Sequence, residues 1–218
     1  SNALFLACKV LGIKKGSSVW CSTITFISSI SCAYQLGAKV EFLEIDNYSF
    51  NIDLKKLEQK LKIAKKIPDV IIVTHLGGSP LDLLKLSKLQ KKYKFKIIED
   101  ASHALGSIYK ESKIGSCKYS DITVFSFHPV KIITTAEGGI ATTNNKQLYE
   151  KMCLFRSHGI TKDKERFISK DFGDWHYEQQ DLGFNFRMTE ITAAIAIQQL
   201  KQINQHVNKR VDIAEALS

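Results

Sequence analysis

Lys131 closes the run Phe125-Ser-Phe-His-Pro-Val-Lys131, which follows an apolar β-branched stretch and precedes the glycine pair Gly138-Gly139. An amine held at a strand end among apolar neighbours is destabilised as a cation by desolvation and can attack an aldehyde carbon. Lys131 is therefore the candidate Schiff-base lysine. In a chain with 31 lysines and arginines, a lysine chosen by type alone would be a solvated surface residue. Its neighbours must decide between the two.

Asp100 ends the apolar run Ile97-Ile-Glu-Asp. A carboxylate there could pair with the protonated ring nitrogen of pyridoxal phosphate and keep that ring an electron sink; it could equally cap a helix. His103, three residues on, could hold Asp100 or the cofactor hydroxyl, or be a satisfied structural histidine. Ser126 could donate to the cofactor phosphate, or cap a turn at its strand end. Phe26 could stack on the pyridine ring, or be a core aromatic at a helix start. His128 is a candidate substrate contact.

Two later segments add polar groups. In Gly183-Phe-Asn-Phe-Arg-Met-Thr-Glu190, Asn185 could reach a phosphate and Arg187 an acidic group. From spacing alone they read as well as a helix cap and an i,i+3 pair with Glu190. In Arg156-Ser-His-Gly159, His158 could line a substrate mouth, or complement the carboxyl end of a helix that Gly159 terminates.

The elements that must position these residues follow from apolar patterning. Short β-branched runs at 18–22, 39–45, 69–75, 96–100, 122–127 and 138–143 alternate with amphipathic stretches at 3–12, 23–36, from Asp53, from Asp82, at about 146–156 and at 188–206. That alternation predicts an α/β fold of three layers, a mostly parallel sheet with helices on both faces. Ligands of such sheets lie outside the carboxyl ends of the strands. Residues 23–26, 75–78, 100–103 and 126–131 all fall at such ends.

Composition narrows the function classes. Hydrophobic content of 44% and charged content of 24% suit a globular chain of 218 residues, so disorder is disfavoured. The net charge of +9 is spread along solvated helix faces, without the clustering or aromatic interleaving of a nucleic-acid surface. No apolar run approaches a membrane span of about 20 residues. Five scattered cysteines without a Cys-x-x-Cys pair predict free thiols in a reducing cytoplasm, and nothing in the pattern suggests a metal site.

Three segments together carry a family resemblance: Glu99-Asp-Ala-Ser-His-Ala-Leu-Gly106, Phe125–Lys131 with Thr134-Thr-Ala-Glu-Gly-Gly139, and Gly183–Glu190. The chain resembles the DegT/DnrJ/EryC1/StrS sugar aminotransferases, pyridoxal-phosphate enzymes of fold type I, over nearly its whole length. The resemblance implies Lys131 as the cofactor lysine, Asp100 as the pyridinium partner, Ser126 as a phosphate ligand, Phe26 as the stacking aromatic, and Asn185 reaching the cofactor phosphate of a partner subunit in a homodimer. It implies a nucleotide-linked 4-keto sugar as acceptor and glutamate as amino donor. Leu154–Ile160 together with Trp175-His-Tyr-Glu178 is especially similar to members that aminate UDP-4-keto-6-deoxy-N-acetyl-hexosamine for pseudaminic acid. Residues 1–205 then correspond to the cofactor-binding large domain, with an N-terminal segment expected ahead of Ser1. Residues 206–218 begin the connection to a small C-terminal domain.

Other readings are a pyridoxamine-dependent sugar dehydratase, disfavoured because such relatives replace the lysine with histidine, and a catalytically silent or sensory member. A nucleotide-dependent oxidoreductase lacks the required Gly-x-Gly-x-x-Gly after the first strand.

Overall fold

Continuous apolar strands of β-branched residues bury both faces, which is why they assemble in parallel between two helical layers. The structure, a computed structural model, describes residues 1–169 and 173–217. Along the chain run α1 (Asn2–Val10), β1 (Ser18–Ser22), α2 (Ser28–Gln35), β2 (Lys39–Leu43), α3 (Leu54–Ile63), β3 (Val70–Thr74), α4 (Leu83–Tyr93) and β4 (Lys96–Asp100). A hairpin of β5 (Ile108–Tyr109) and β6 (Ser112–Lys113) precedes β7 (Ile122–Ser126), β8 (Gly139–Thr142) and α5 (Lys146–Arg156). A short ribbon, β9 (Ile160–Thr161) with β10 (Glu178–Gln179), leads to α6 (Glu190–Leu200) and α7 (Ile203–Leu217).

The main sheet has the order β2-β1-β3-β4-β7-β8. All neighbouring pairs are parallel except β7 with β8, where the chain folds back. Alternate residues face opposite layers. Trp20, Ile71, Val73 and Ile97 pack with leucines of α3 and α4, whereas Val19, Cys21, Ile72, Ile98 and Val124 pack against α1, α2 and α5. The chain leaves β1 for β2 on one side and returns to β3 on the other, so a crevice is expected beyond the carboxyl ends of β1 and β3.

Two helix boundaries depart from the periodicity. The helix expected from residue 23 starts at Ser28, because Thr23 donates its hydroxyl to Leu43 O at 2.6 Å and Thr25 turns its hydroxyl to Thr74 and Ser29. Hydroxyls committed in this way to residues of β2 and β3 hold the segment before Ser28 out of the helix. The stretch 188–206 is two helices broken at Lys201 and Gln202, and α7 runs on through 205 and 206 without a break. No glycine or proline marks that break. Ser218, the end of the expected connection, lies outside the described residues, as do residues 170–172 of the loop before β10.

Asp53 and Asp82 cap α3 and α4 as expected, the first accepting from Lys55 N and Lys56 N and the second from Lys85 N. Cys8, Cys21, Cys32, Cys117 and Cys153 are free thiols, and burial pushes Cys21 up to about 12. Among the described residues no helix is long and apolar enough to cross a membrane, and no group of three or more His, Cys, Asp or Glu side chains is placed to hold a metal ion.

Candidate active site

Parallel register brings the carboxyl ends of β3, β4 and β7 to one edge, with Thr74 beside Asp100 and Asp100 beside Val124. The Asp100 peptide is clamped from both sides: His75 N donates to its carbonyl at 3.1 Å, and Ala101 N donates to Val124 O at 2.8 Å. No helix follows it, since residues 101–107 form turns. The helix-cap reading of Asp100 therefore fails.

The buried carboxylate, 3% exposed, faces three donors. Ser102 supplies its backbone N–H (3.2 Å) and hydroxyl (2.6 Å) to Oδ1, and Ser29 its hydroxyl (2.7 Å) to Oδ2. Ser29 is itself held by Thr25 at 3.1 Å. Thr25 Oγ1 lies 2.6 Å from Thr74 Oγ1, and with the Thr25 proton spent on Ser29, Thr74 must donate to Thr25. A one-way string of hydroxyls thus runs from β3 through the β1–α2 turn to the carboxylate. A carboxylate accepts about four hydrogen bonds, so one acceptor position on Oδ2 is left for a further donor. A protonated pyridine nitrogen is such a donor, and in this respect the residues present fit pyridoxal phosphate.

His103 lies within the electrostatic reach of both Asp100 and Lys131. Its pKa is lowered from 6.5, first by desolvation and then by the Lys131 charge, with Asp100 opposing. Its Nδ1 accepts from Gly77 N at 3.3 Å, so the neutral ring carries its proton on Nε2. Ser126 ends β7 half-buried and its hydroxyl accepts from His128 N at 3.3 Å. Lys131, half-buried, sits in the loop between β7 and β8, where its N–H donates to His128 O at 2.9 Å. That loop is tied down at several points. Thr135 N donates to Phe127 O and Phe127 N to Gly138 O, both at 2.9 Å, and Thr134 N to Gln199 Oε1 at 2.8 Å. A side chain on Gly138 would meet Thr135 Oγ1 at 2.3 Å and Met188 Cε at 3.0 Å. Phe26 precedes α2 with its ring 69% exposed, so it is not a core aromatic. His128 is exposed beside this group.

Asn185, Arg187 and His158 form a second group. The strip 184–186 pairs antiparallel with residues 155–158: Phe184 N donates to Phe155 O (2.7 Å), Phe186 N to Arg156 O (3.0 Å) and His158 N to Phe184 O (2.8 Å). Phe184 and Phe186 stack together and meet Phe5 of α1 edge-on, which turns Asn185 and Arg187 outward. Thr189, not Asn185, caps α6, and Arg187 makes no ion pair with Glu190 among the described residues. No hydrogen bond or ion pair among the described residues joins these side chains to the Lys131 group.

Sequence reasoning placed residues 23–26 and 75–78 at the site edge but did not assign Ser29, Thr25, Ser102 or the His75–Glu99 pair. His75 Nδ1 accepts from Leu81 N at 3.2 Å, so Nε2–H donates to Glu99 Oε2 at 2.7 Å. Glu99 Oε1 takes the hydroxyls of Thr123 (3.1 Å) and Ser120. This knot, with His75, Glu99 and Thr123 buried, fixes the loop whose Gly77 holds His103. The dense Ser/Thr content of residues 22–29 was the available signal.

The mostly parallel sheet between helical layers, with a hydroxyl-clamped aspartate at one strand end, is the α/β fold of the aminotransferase structures that this chain resembles. The chain belongs to the DegT/DnrJ/EryC1/StrS aminotransferase family, whose sequence profile matches residues 1–218. It is 43% identical over 215 residues to a UDP-4-amino-4,6-dideoxy-N-acetyl-beta-L-altrosamine transaminase of Campylobacter jejuni, covering 98% of this chain and 53% of that one. Helicobacter pylori PseC, an aminotransferase involved in the biosynthesis of pseudoaminic acid, superposes with a TM-score of 0.79 at 33% identity, over 93% of this chain and 52% of that one. The PLP-form of the putative sugar aminotransferase Spr1654 of Streptococcus pneumoniae gives 0.83 at 31% identity, over 98% and 56%. The chain spans about half the length of these relatives.

Proposed function

We propose that this chain is the cofactor-binding part of a pyridoxal-phosphate aminotransferase that moves an amino group from glutamate to C4 of a nucleotide-linked 4-keto-6-deoxy sugar. The acceptor is assigned as UDP-4-keto-6-deoxy-N-acetyl-hexosamine, supported by the similarity to the Campylobacter jejuni transaminase. Glutamate leaves as 2-oxoglutarate, the ketone becomes an amine, and the exchange balances without an external oxidant or reductant. Residues 1–205 serve as the large domain and 206–218 open the connection to a small domain.

The observation that carries this reading is the Asp100 carboxylate, buried on three donors with one acceptor position left. When bound, pyridoxal phosphate supplies the electron sink for a carbanion at the carbon being aminated or deaminated. Asp100 would hold the ring nitrogen protonated, Phe26 would cover a ring face, and Ser126 would donate to the phosphate. His103, neutral with its proton on Nε2, orients Asp100 or the ring hydroxyl. Lys131 would hold the cofactor at its aldehyde, and its amine would serve as the group that moves a proton at the substrate carbon. His128, His158 and Arg187 contact substrate.

Asn185, turned outward and with no side-chain hydrogen bond among the described residues, reaches the phosphate of a partner subunit in a homodimer. The exposed apolar side chains of α6, Ile191, Ile195 and Ile197, suit such an interface. The free cysteines suit a reducing cytoplasm. The test is incubation of the cofactor-loaded protein with glutamate and UDP- and dTDP-linked 4-keto sugars, with products read by mass spectrometry. Borohydride should bleach the absorbance of the loaded protein and leave its label on Lys131. A label elsewhere, or wild-type transamination by Lys131→Ala, overturns the assignment.

A further inference from the structure

Neither α6 nor α7 has a fully buried residue among those described, yet side chains of both reach the two loops that carry the candidate chemistry. Gln199 of α6 accepts the Thr134 N–H at 2.8 Å across 65 residues of sequence. Arg210 of α7 donates from Nη2 to Lys131 O at 3.4 Å. Between them, Ile203 and Val207 face the turns after Asp100, where a side chain on Gly106 would meet Val207 Cγ2 at 2.8 Å and Ile203 Cγ1 at 3.7 Å. Positions 203, 207 and 210 share one face of a helix. We propose that Gln199 and Arg210 are positioning residues for Lys131, the first holding the far side of its loop and the second its own peptide. The proposal rests on the reading of Lys131 as the lysine that holds the cofactor.

Thr134 is the junction of this loop. Its hydroxyl donates to Phe127 O at 3.0 Å and accepts from Ala136 N at 3.1 Å, so it ties the end of β7 to the chain returning toward β8. Ala136 stands at φ +63°, a region sparsely used by residues with a side chain, and the Thr134 hydroxyl helps to hold it there. Thr135 N is spent on Phe127 O, and Lys131 N on His128 O. Among the described residues the Thr134 N–H has no acceptor besides Gln199, and the Lys131 carbonyl no donor besides Arg210. The loop thus closes on itself everywhere except at these two groups, which α6 and α7 satisfy. Packing alone would have set apolar side chains there; a half-buried amide and an exposed guanidinium make the contacts instead. An amine at the end of a lysine stem reaches only as far as its Cα is correctly placed. A displacement of about 1 Å at a reacting group costs on the order of 100-fold in rate.

The test uses the whole chain, first without cofactor. Gln199→Met keeps the side-chain length and a good helix former but removes the acceptor; Gln199→Glu keeps an acceptor. Amide hydrogen exchange at Thr134 should quicken about tenfold in Gln199→Met, the loss of one hydrogen bond, and return toward wild type in Gln199→Glu. Pyridoxal phosphate is then titrated, with attachment read by absorbance and by borohydride labelling of Lys131. Its midpoint should weaken about tenfold in Gln199→Met and recover in Gln199→Glu. Arg210→Met, at an exposed residue with the longer contact, should weaken it about threefold, and it carries the test if Gln199→Met does not fold. A merely structural role would lower the urea midpoint and leave attachment where it was. Unchanged Thr134 exchange in Gln199→Met, unchanged attachment in both methionine variants, or a glutamate variant no better than Gln199→Met overturns the proposal. A wild-type label away from Lys131 overturns the lysine assignment instead, and Thr134 exchange in the cofactor-free chain then still decides whether Gln199 holds the loop.

Discussion

Ser29 Oγ donates to Asp100 Oδ2 at 2.7 Å across 71 residues of sequence, joining the start of α2 to the end of β4 inside the buried edge of the sheet. Ser29→Ala leaves Oδ2 without its donor. A hydrogen bond to a charged group is worth about 1.5–3 kcal/mol, and a loss of that size should appear in the denaturant midpoint. Ser29→Thr, which keeps the hydroxyl, should recover most of it. Equal midpoints for wild type and alanine variant would show that the bond contributes nothing.

His75 and Glu99 are matched by two further hydroxyls and one backbone N–H, with the His75 side chain fully buried. Removing the imidazole strands a buried carboxylate oxygen. His75→Ala should cost roughly 3 kcal/mol, the order expected for breaking a buried pair. Thermal or urea unfolding of the variant measures it.

His103 gives a pH dependence whose sign is determined. Its folded pKa lies below 6.5, so between the two values the unfolded chain binds the additional proton. The associated stability is present above 6.5 and is lost as pH falls through the lowered value. His103→Gln should remove that slope in urea melts taken across the window. Lys131→Ala removes a repelling charge, so the His103 ring should titrate higher by NMR in that variant than in wild type.

Gly159 and Gly183 permit the strip 184–186 to lie along residues 155–158. A Cβ on Gly183 would sit 2.4 Å from the carbonyl carbon of His158, and backbone atoms cannot yield as a side-chain tip can. Gly183→Ala should destabilise by about 2–3 kcal/mol, in the range of overpacking, and should weaken cofactor retention by displacing Asn185 from the role proposed for it. Calorimetry and equilibrium dialysis read the two effects separately.

Asn185 and Lys131 are proposed to serve one site from two subunits. Neither Lys131→Ala nor Asn185→Ala homodimers should work normally. Statistically mixed dimers should regain about a quarter of wild-type turnover, because a heterodimer of this symmetry rebuilds one complete site. Mixtures no more active than their components would place both residues in the same subunit's site.

The alternation of β-branched runs with amphipathic stretches made the α/β layering legible from sequence, because side-chain period reports which faces a strand or helix must bury. The same pattern located β4 and α5 at their observed bounds. The motif residues were legible because their types carry chemistry: an amine, a carboxylate and a hydroxyl at successive strand ends. Tertiary structure decided their relations. Whether Asp100 capped a helix or faced a ligand depended on Ser29 and on the turns after residue 100, and hydrogen bonds over 71 residues leave no trace in local spacing. The late start of α2 and the break between α6 and α7 were illegible for a related reason. Thr23 and Thr25 bond to residues distant in the chain, and no glycine or proline marks Lys201. Sequence thus determined which groups reach the strand ends. Only packing and parallel register determined which of them meet, because register places Thr74, Asp100 and Val124 side by side from three separate strands.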